Sequence, residues 1–370
     1  DLIPDFSHDY MPLSLLGFIG VGLVIFESGM HLHIEGVFNR DVGPHVVMVA
    51  TLGTLGPILV GMGIMTALGS DAYPNGLSAG FALAPTSVGI SLTLLSRAKQ
   101  LNSRYGQIIM SAAFLDDIFS IICLVVMINL SEGNFSPLMH VVVPLVSSFA
   151  FVGFGVAASH FIMPRLTPYI LDASGRIIRK FEVGSRSMHL KDEMHMFWLI
   201  ASYLLFSWIG NLIGSALLGA FVAGMLFAGV PRSALLWEKQ FKRITRWLIR
   251  IFFSATVAFS INIGDLFTFE AFWKGLIVGI LPCLATKIVS GFFVGDERWV
   301  IGIAMMARGE FAYLVAEKAH SLEMLTSNEY AIIVWALLWA TMVAPLAFDK
   351  VLQAYMRAQY AKTGTSRALA

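Results

Sequence analysis

Five charged residues lie deep inside runs of apolar residues long enough to cross a bilayer, away from their ends: Asp116, Asp117, Lys287, Arg308 and Glu310. A charge at the centre of a membrane-crossing helix costs about 2.5–3.5 kcal/mol, so such residues mark functional sites or buried ion pairs. Asp116 and Asp117 are neighbours in Ser111-Ala-Ala-Phe-Leu-Asp-Asp-Ile-Phe-Ser120. Neighbours on a helix point about 100° apart, so one can meet a cation on another helix while the other faces water. Two adjacent carboxylates in low dielectric resist ionising together. One of them can therefore hold a proton near physiological pH, release it, and take a cation. Lys287, in Pro282-Cys-Leu-Ala-Thr-Lys-Ile-Val-Ser-Gly291, is the matching counter-charge. A buried Lys stays charged only beside an acid.

The composition says what must position these groups. The chain has 370 residues, is 57% hydrophobic and only 13% charged, with a mean hydropathy of +0.75. Soluble proteins carry roughly 25% charge. A soluble globule, a disordered chain and a disulfide scaffold are all excluded, and an all-α polytopic membrane protein is expected. Eleven apolar runs have spanning length: approximately Leu13–Met30, Val46–Leu68, Asn75–Ser96, Gly106–Leu130, Leu138–Met163, Met194–Ile213, Gly214–Val230, Leu248–Gly264, Phe272–Val294, Trp299–Ala319 and Tyr330–Phe348. They do not alternate, so a lipid-facing barrel is excluded. Counting loops alternately puts 20 of the 25 Lys and Arg on one side, and Asp1, Asp5, Asp9, Asp71, Glu132, Asp265, Glu270, Glu323 and Glu329 on the other. Positive loops are cytoplasmic, which predicts an outside N-terminus and a cytoplasmic C-terminus.

Two spans carry interruptions. Phe81-Ala-Leu-Ala-Pro-Thr-Ser-Val-Gly-Ile90 sets Thr86 and Ser87 between Pro85 and Gly89. Met305-Met-Ala-Arg-Gly-Glu-Phe-Ala312 sets Gly309 between opposite charges. Broken helices at corresponding places in two halves point to a transporter site. If the last six spans form one repeat, its broken helix is the fifth. The third span here is also broken, so the same logic predicts two further N-terminal spans that this sequence lacks.

Ala84-Pro-Thr-Ser-Val-Gly-Ile-Ser91, Leu115-Asp-Asp-Ile118, Lys287 and Arg308-Gly-Glu310, in that order, resemble the monovalent cation:proton antiporters of the Asp-Asp branch. The likeness is to sodium/proton antiporters of the NapA type, with Kef-type potassium relatives. Gly219-Ala-Phe-Val-Ala-Gly224 and Val24-Ile-Phe-Glu-Ser-Gly29 add weaker likeness. The sequence departs from the pattern at Ala307, Pro85 and His31. The resemblance implies a thirteen-helix fold of inverted repeats with two crossed broken helices, its first two helices absent here. It implies a core at 46–130 and 272–349, a scaffold and dimerisation part at 13–30 and 194–264, and a linker helix at 131–163. A cytoplasmic loop at 164–193 and a tail at 350–370 complete the division. Asp117 would bind sodium, potassium or lithium in alternation with a proton. Asp116 would pair with Lys287, Thr86 and Ser87 would lie at the helix crossing, and Arg308 and Glu310 would serve ion pairing or coupling. An Asp-Asp pair with a Lys implies electrogenic exchange, and the family implies a homodimer.

Other readings are weaker. No phosphate-binding Gly-rich loop ending in Gly-Lys-Ser/Thr occurs, which argues against nucleotide-driven pumping. No cofactor, nucleic acid or resident metal is expected; Cys123 and Cys283 lie in apolar runs without zinc spacing. An intramembrane aspartyl protease needs carboxylates from separate helices, whereas these two are adjacent. A passive channel, or a transport-inactive subunit of a larger complex, is the remaining alternative. His31 and His33 fit an interfacial pair. Asn129 and Asn134 begin sequons close to the membrane, where no sugar is expected. The basic stretch Arg165–Lys191 fits a solvated cytoplasmic linker.

Overall fold

The computed structural model describes residues 11–31, 40–131, 138–163, 165–166, 187–260 and 263–363. Every regular element among the described residues is helical. Lipid offers no hydrogen bonds, so an apolar crossing must pair its backbone groups within the segment itself. In chain order the helices are α1 (Met11–Met30), α2 (Gly43–Ala67), α3 (Leu77–Leu83), α4 (Val88–Arg97), α5 (Arg104–Leu130), α6 (Val143–Ala157), α7 (Ser187–Ile213), α8 (Ala216–Leu226) and α9 (Pro231–Gln240). They continue as α10 (Lys242–Trp247), α11 (Ser254–Ser260), α12 (Ile263–Leu266), α13 (Phe269–Val278), α14 (Thr286–Gly291), α15 (Arg298–Ala304), α16 (Glu310–Ser321) and α17 (Ser327–Thr363). Residues 167–186 of the loop expected to be cytoplasmic, His33, Asn134 and residues 364–370 lie outside the described residues.

Among the described residues, six helical stretches are long and apolar enough to cross a membrane: Gly43–Ala67, Arg104–Leu130, Leu138–Ile162, Asp192–Ile213, Phe269–Ala304 and Ser327–Gln359. The other expected spans are shorter or interrupted helices. Leu15–Met30 and Ala216–Leu226 are apolar but shorter. Asn75–Ser96 is divided into α3 and α4, and the run after Trp299 into α15 and α16. Phe269–Ala304 has 36 residues, more than one crossing of about 20 needs. Gly295 divides it. Its φ of 75° and ψ of −130° reverse the chain, and glycine reaches that region without a Cβ penalty. α14 and α15 then pack closely, because a Cβ on Gly302 would stand only 2.6 Å from the Ile288 carbonyl oxygen.

The chain divides into two compact units, one of Asp1–Leu32 with Leu124–Phe259, the other of His33–Cys123 with Ser260–Ala370. In the first unit, every residue of α8 from Leu217 to Leu226 is buried. Gly219 meets the Phe206 carbonyl of α7 and Gly224 meets the Phe26 carbonyl of α1, leaving no room for a Cβ at either. This explains the small-residue motif at 219–224 as a packing surface. Trp237 of α9 is fully buried and stacks on Phe241 at a centroid distance of 4.8 Å. Its indole N–H donates to Glu27 Oε2 over 3.3 Å. At the exposed end of α9, hydrogen bonding and charge from Lys242 hold the Glu238 carboxyl below the usual carboxylate range.

The second unit contains the broken helices. Its core gathers Val46 and Val49 of α2, Ile108, Ile109 and Ala112 of α5, Val300, Ile301 and Ala304 of α15, and Phe348 of α17. Between α13 and α14 the chain winds more widely over Gly279–Ala285, around Pro282. Proline cannot donate to the helical ladder, and such widened turns relieve the clash its ring would cause.

Candidate functional site

The site forms where two interruptions meet. Residues 84–87 separate α3 from α4, and residues 305–309 separate α15 from α16. The Ser87 amide donates to the Ala307 carbonyl over 2.7 Å, bonding one break to the other. Ser91 Oγ adds a bond to the Ala304 carbonyl at 2.6 Å. Gly309 permits the approach, since a Cβ there would lie 2.7 Å from Ser87 Cβ.

A helix that ends inside a membrane leaves carbonyls without partners. Arg308 supplies donors for them. Its guanidinium is 1% exposed. Nη1 donates to the carbonyls of Ala84, over 3.1 Å, and Pro85, over 2.8 Å. Nη2 donates to the Cys283 carbonyl over 3.2 Å, in the widened turn around Pro282. A cation at a helix C-terminus is also favoured by the helix dipole. Arg308 is thus a cap that holds three segments together. The resemblance assigns Arg308 and Glu310 to ion pairing or coupling. No ion pair joins Arg308 to Glu310 among the described residues. Glu310 instead opens α16 and is exposed.

Asp116 and Lys287 are both 0% exposed and face each other. Lys287 Nζ donates to Asp116 Oδ1 over 3.0 Å and to Oδ2 over 3.2 Å. Thr54 Oγ1 donates to Asp116 Oδ1 over 2.7 Å, and the Ala50 carbonyl is a second acceptor at 2.9 Å. A hydroxyl has one proton, and the ionised carboxylate is the stronger acceptor. Gly53 keeps α2 close, because a Cβ there would lie 3.3 Å from Lys287 Nζ. Asp117 is part-buried. Its position one residue on turns it about 100° from Asp116. Thr86 is buried, and its Oγ1 has no hydrogen-bond partner among the described residues. Ser87 is part-buried beside it.

Asp116 and Lys287 therefore meet, and Thr86, Ser87 and Arg308 meet at the crossing. Thr54 is a site residue that motif reasoning missed. Its only sequence signal is a hydroxyl beside Gly53 in an apolar helix. No group of three or more His, Cys, Asp or Glu able to hold a metal occurs among the described residues.

Comparison with known proteins gives concordant likenesses. The family profile "Sodium/hydrogen exchanger, transmembrane" matches residues 4–354. The chain is 28% identical over 360 residues to the high-affinity Na(+)/H(+) antiporter NhaS3 of Synechocystis sp., covering 93% of this chain and 74% of that one. It is 24% identical over 355 residues to K(+) efflux antiporter 6 of Arabidopsis thaliana, covering 94% of this chain and 56% of that one. A Na(+)/H(+) antiporter of Enterococcus hirae is 22% identical over 363 residues, with coverages of 93% and 84%. The chain thus spans little more than half of the plant relative's length. In fold it is similar to the sodium proton antiporter MjNhaP1 of Methanocaldococcus jannaschii, with a TM-score of 0.57 at 15% identity, covering 93% of this chain and 83% of that one. With its profile match running over nearly the whole sequence, the chain belongs to the sodium/hydrogen exchanger family of transmembrane proteins.

Proposed function

We propose that this chain exchanges a monovalent cation for protons, with sodium as the first candidate and potassium or lithium as the others. The observation that carries the reading is the fully buried Asp116–Lys287 pair, in the same unit as the hydrogen-bonded crossing of two broken helices. The relatives named for Na(+)/H(+) antiport support the choice of ions.

In this reading Asp117 is the carrier. Its carboxylate takes either a proton or the cation, and each neutralises the same single charge. Competition for one carboxylate then enforces exchange. In the arrangement described, Asp116 is engaged by Lys287 and Thr54, so it is less available to the cation than Asp117. Thr86 and Ser87 offer oxygens near the crossing. If Lys287 loses Asp116 during the cycle, its own proton can leave, which makes exchange electrogenic. The unit holding the charge pair moves to give alternating access, the N-terminus faces outward, and the working form is a homodimer. The expected core at 46–130 and 272–349 and scaffold at 13–30 and 194–264 describe the moving and static parts.

The test is proton movement in proteoliposomes driven by sodium, potassium or lithium gradients at several membrane potentials. The reading predicts exchange with at least one ion and a rate that responds to potential. No cation-dependent proton movement with any of the three would overturn it.

A further inference from the structure

The outer half of the second broken span contains a carboxylate that the site above does not use. Glu317 lies on α16, part-buried, and makes no hydrogen bond or ion pair among the described residues. Lys318 and His320 are its basic neighbours, yet Lys318 forms no salt bridge with it. A carboxylate within a membrane-crossing segment marks a candidate ion path. Glu310 and Glu317 are seven residues apart, so they share one face of α16 and stand about 10 Å apart along its axis. Tyr313 lies between them and hydrogen-bonds Thr341 of α17.

A second observation points into the same place. Tyr330 of α17 is 1% exposed, and its hydroxyl has no partner among the described residues. The phenol lies within electrostatic range of Glu317 and Tyr313. Its ring is fixed by stacking on His320 at a centroid distance of 4.8 Å and an interplanar angle of 9°. His320 is itself held by Nδ1 against the Leu325 carbonyl at 3.0 Å. A buried hydroxyl is ordinarily hydrogen-bonded. Here a rigid hydroxyl with no partner among the described residues lies within electrostatic range of such a carboxylate, a neutral and an anionic oxygen on two helices that pack together. That donor set suits a hard monovalent cation that sheds part of its water.

We propose that Glu317 and the Tyr330 hydroxyl form a second, weak monovalent-cation site on α16 and α17. From it the ion passes along the α16 face to Glu310 and the helix crossing. The site deepens the antiport reading and rests on it for its purpose. Its existence is testable without transport.

Equilibrium binding of radiolabelled sodium is measured on purified full chain carrying Asp117→Asn. Residual weak binding is expected. Adding Glu317→Gln should abolish it, and adding Tyr330→Phe should weaken it about fivefold, or about 1 kcal/mol. In proteoliposomes, Glu317→Gln alone should raise the apparent KM for sodium. Absence of sodium binding in Asp117→Asn, or binding indifferent to both second substitutions, would overturn the second site. Absence of exchange by the wild-type chain with sodium binding intact would overturn the antiport reading and leave the site standing.

Discussion

At the scale of single residues, charge pairing is legible in the sequence. A Lys inside an apolar run requires an acid, and Asp116 and Asp117 were the acids available in another span. Lys287 and Asp116 do meet, at 3.0 Å. Thr54 was not readable, because a Thr in an apolar helix commonly bonds its own chain four residues back, and Thr54 keeps the Ala50 carbonyl within reach as well. Removing one partner of a buried pair strands the other charge and typically costs about 3–5 kcal/mol, whereas replacing both with apolar groups is often neutral. Lys287→Met should therefore lower the melting temperature in detergent substantially. The double variant Lys287→Met with Asp116→Leu should regain most of the loss. A double variant as unstable as the single would show that the pair is not the source. Glu317 belongs to no motif, and sequence does not show which charges lack partners.

The helices themselves were legible where Pro and Gly interrupt apolar runs. Pro85 and Gly89 flag the first break and Gly309 the second. What the breaks bond to was hidden, because the acceptors of Arg308 are carbonyls freed by the first break and in the widened turn around Pro282. Glu310, two residues away and opposite in charge, opens a new helix. Gly309 tests the crossing. A methyl group there must displace Ser87, and overpacking of this kind costs about 1–3 kcal/mol. Gly309→Ala should insert and purify like the wild type while slowing exchange about tenfold, equivalent to about 1.4 kcal/mol on the barrier. Wild-type exchange rates in this variant would show that the tight approach at Ser87 is not needed.

For the whole molecule, composition was decisive about the solvent and weaker about counting. Lipid as solvent follows from 13% charge. Six long helical stretches stand out among the described residues, because the rest are short or broken, and the breaks belong to the site. The unit boundary at Cys123 falls inside α5, where no change of composition marks it. The account holds that one carboxylate alternates between proton and cation while its neighbour is committed to Lys287. The direct measurement is sodium-gradient-driven proton movement in proteoliposomes, wild type against Asp117→Asn, with matched protein incorporation. The account predicts exchange by the wild type and its abolition in the variant. Undiminished exchange by Asp117→Asn would contradict it.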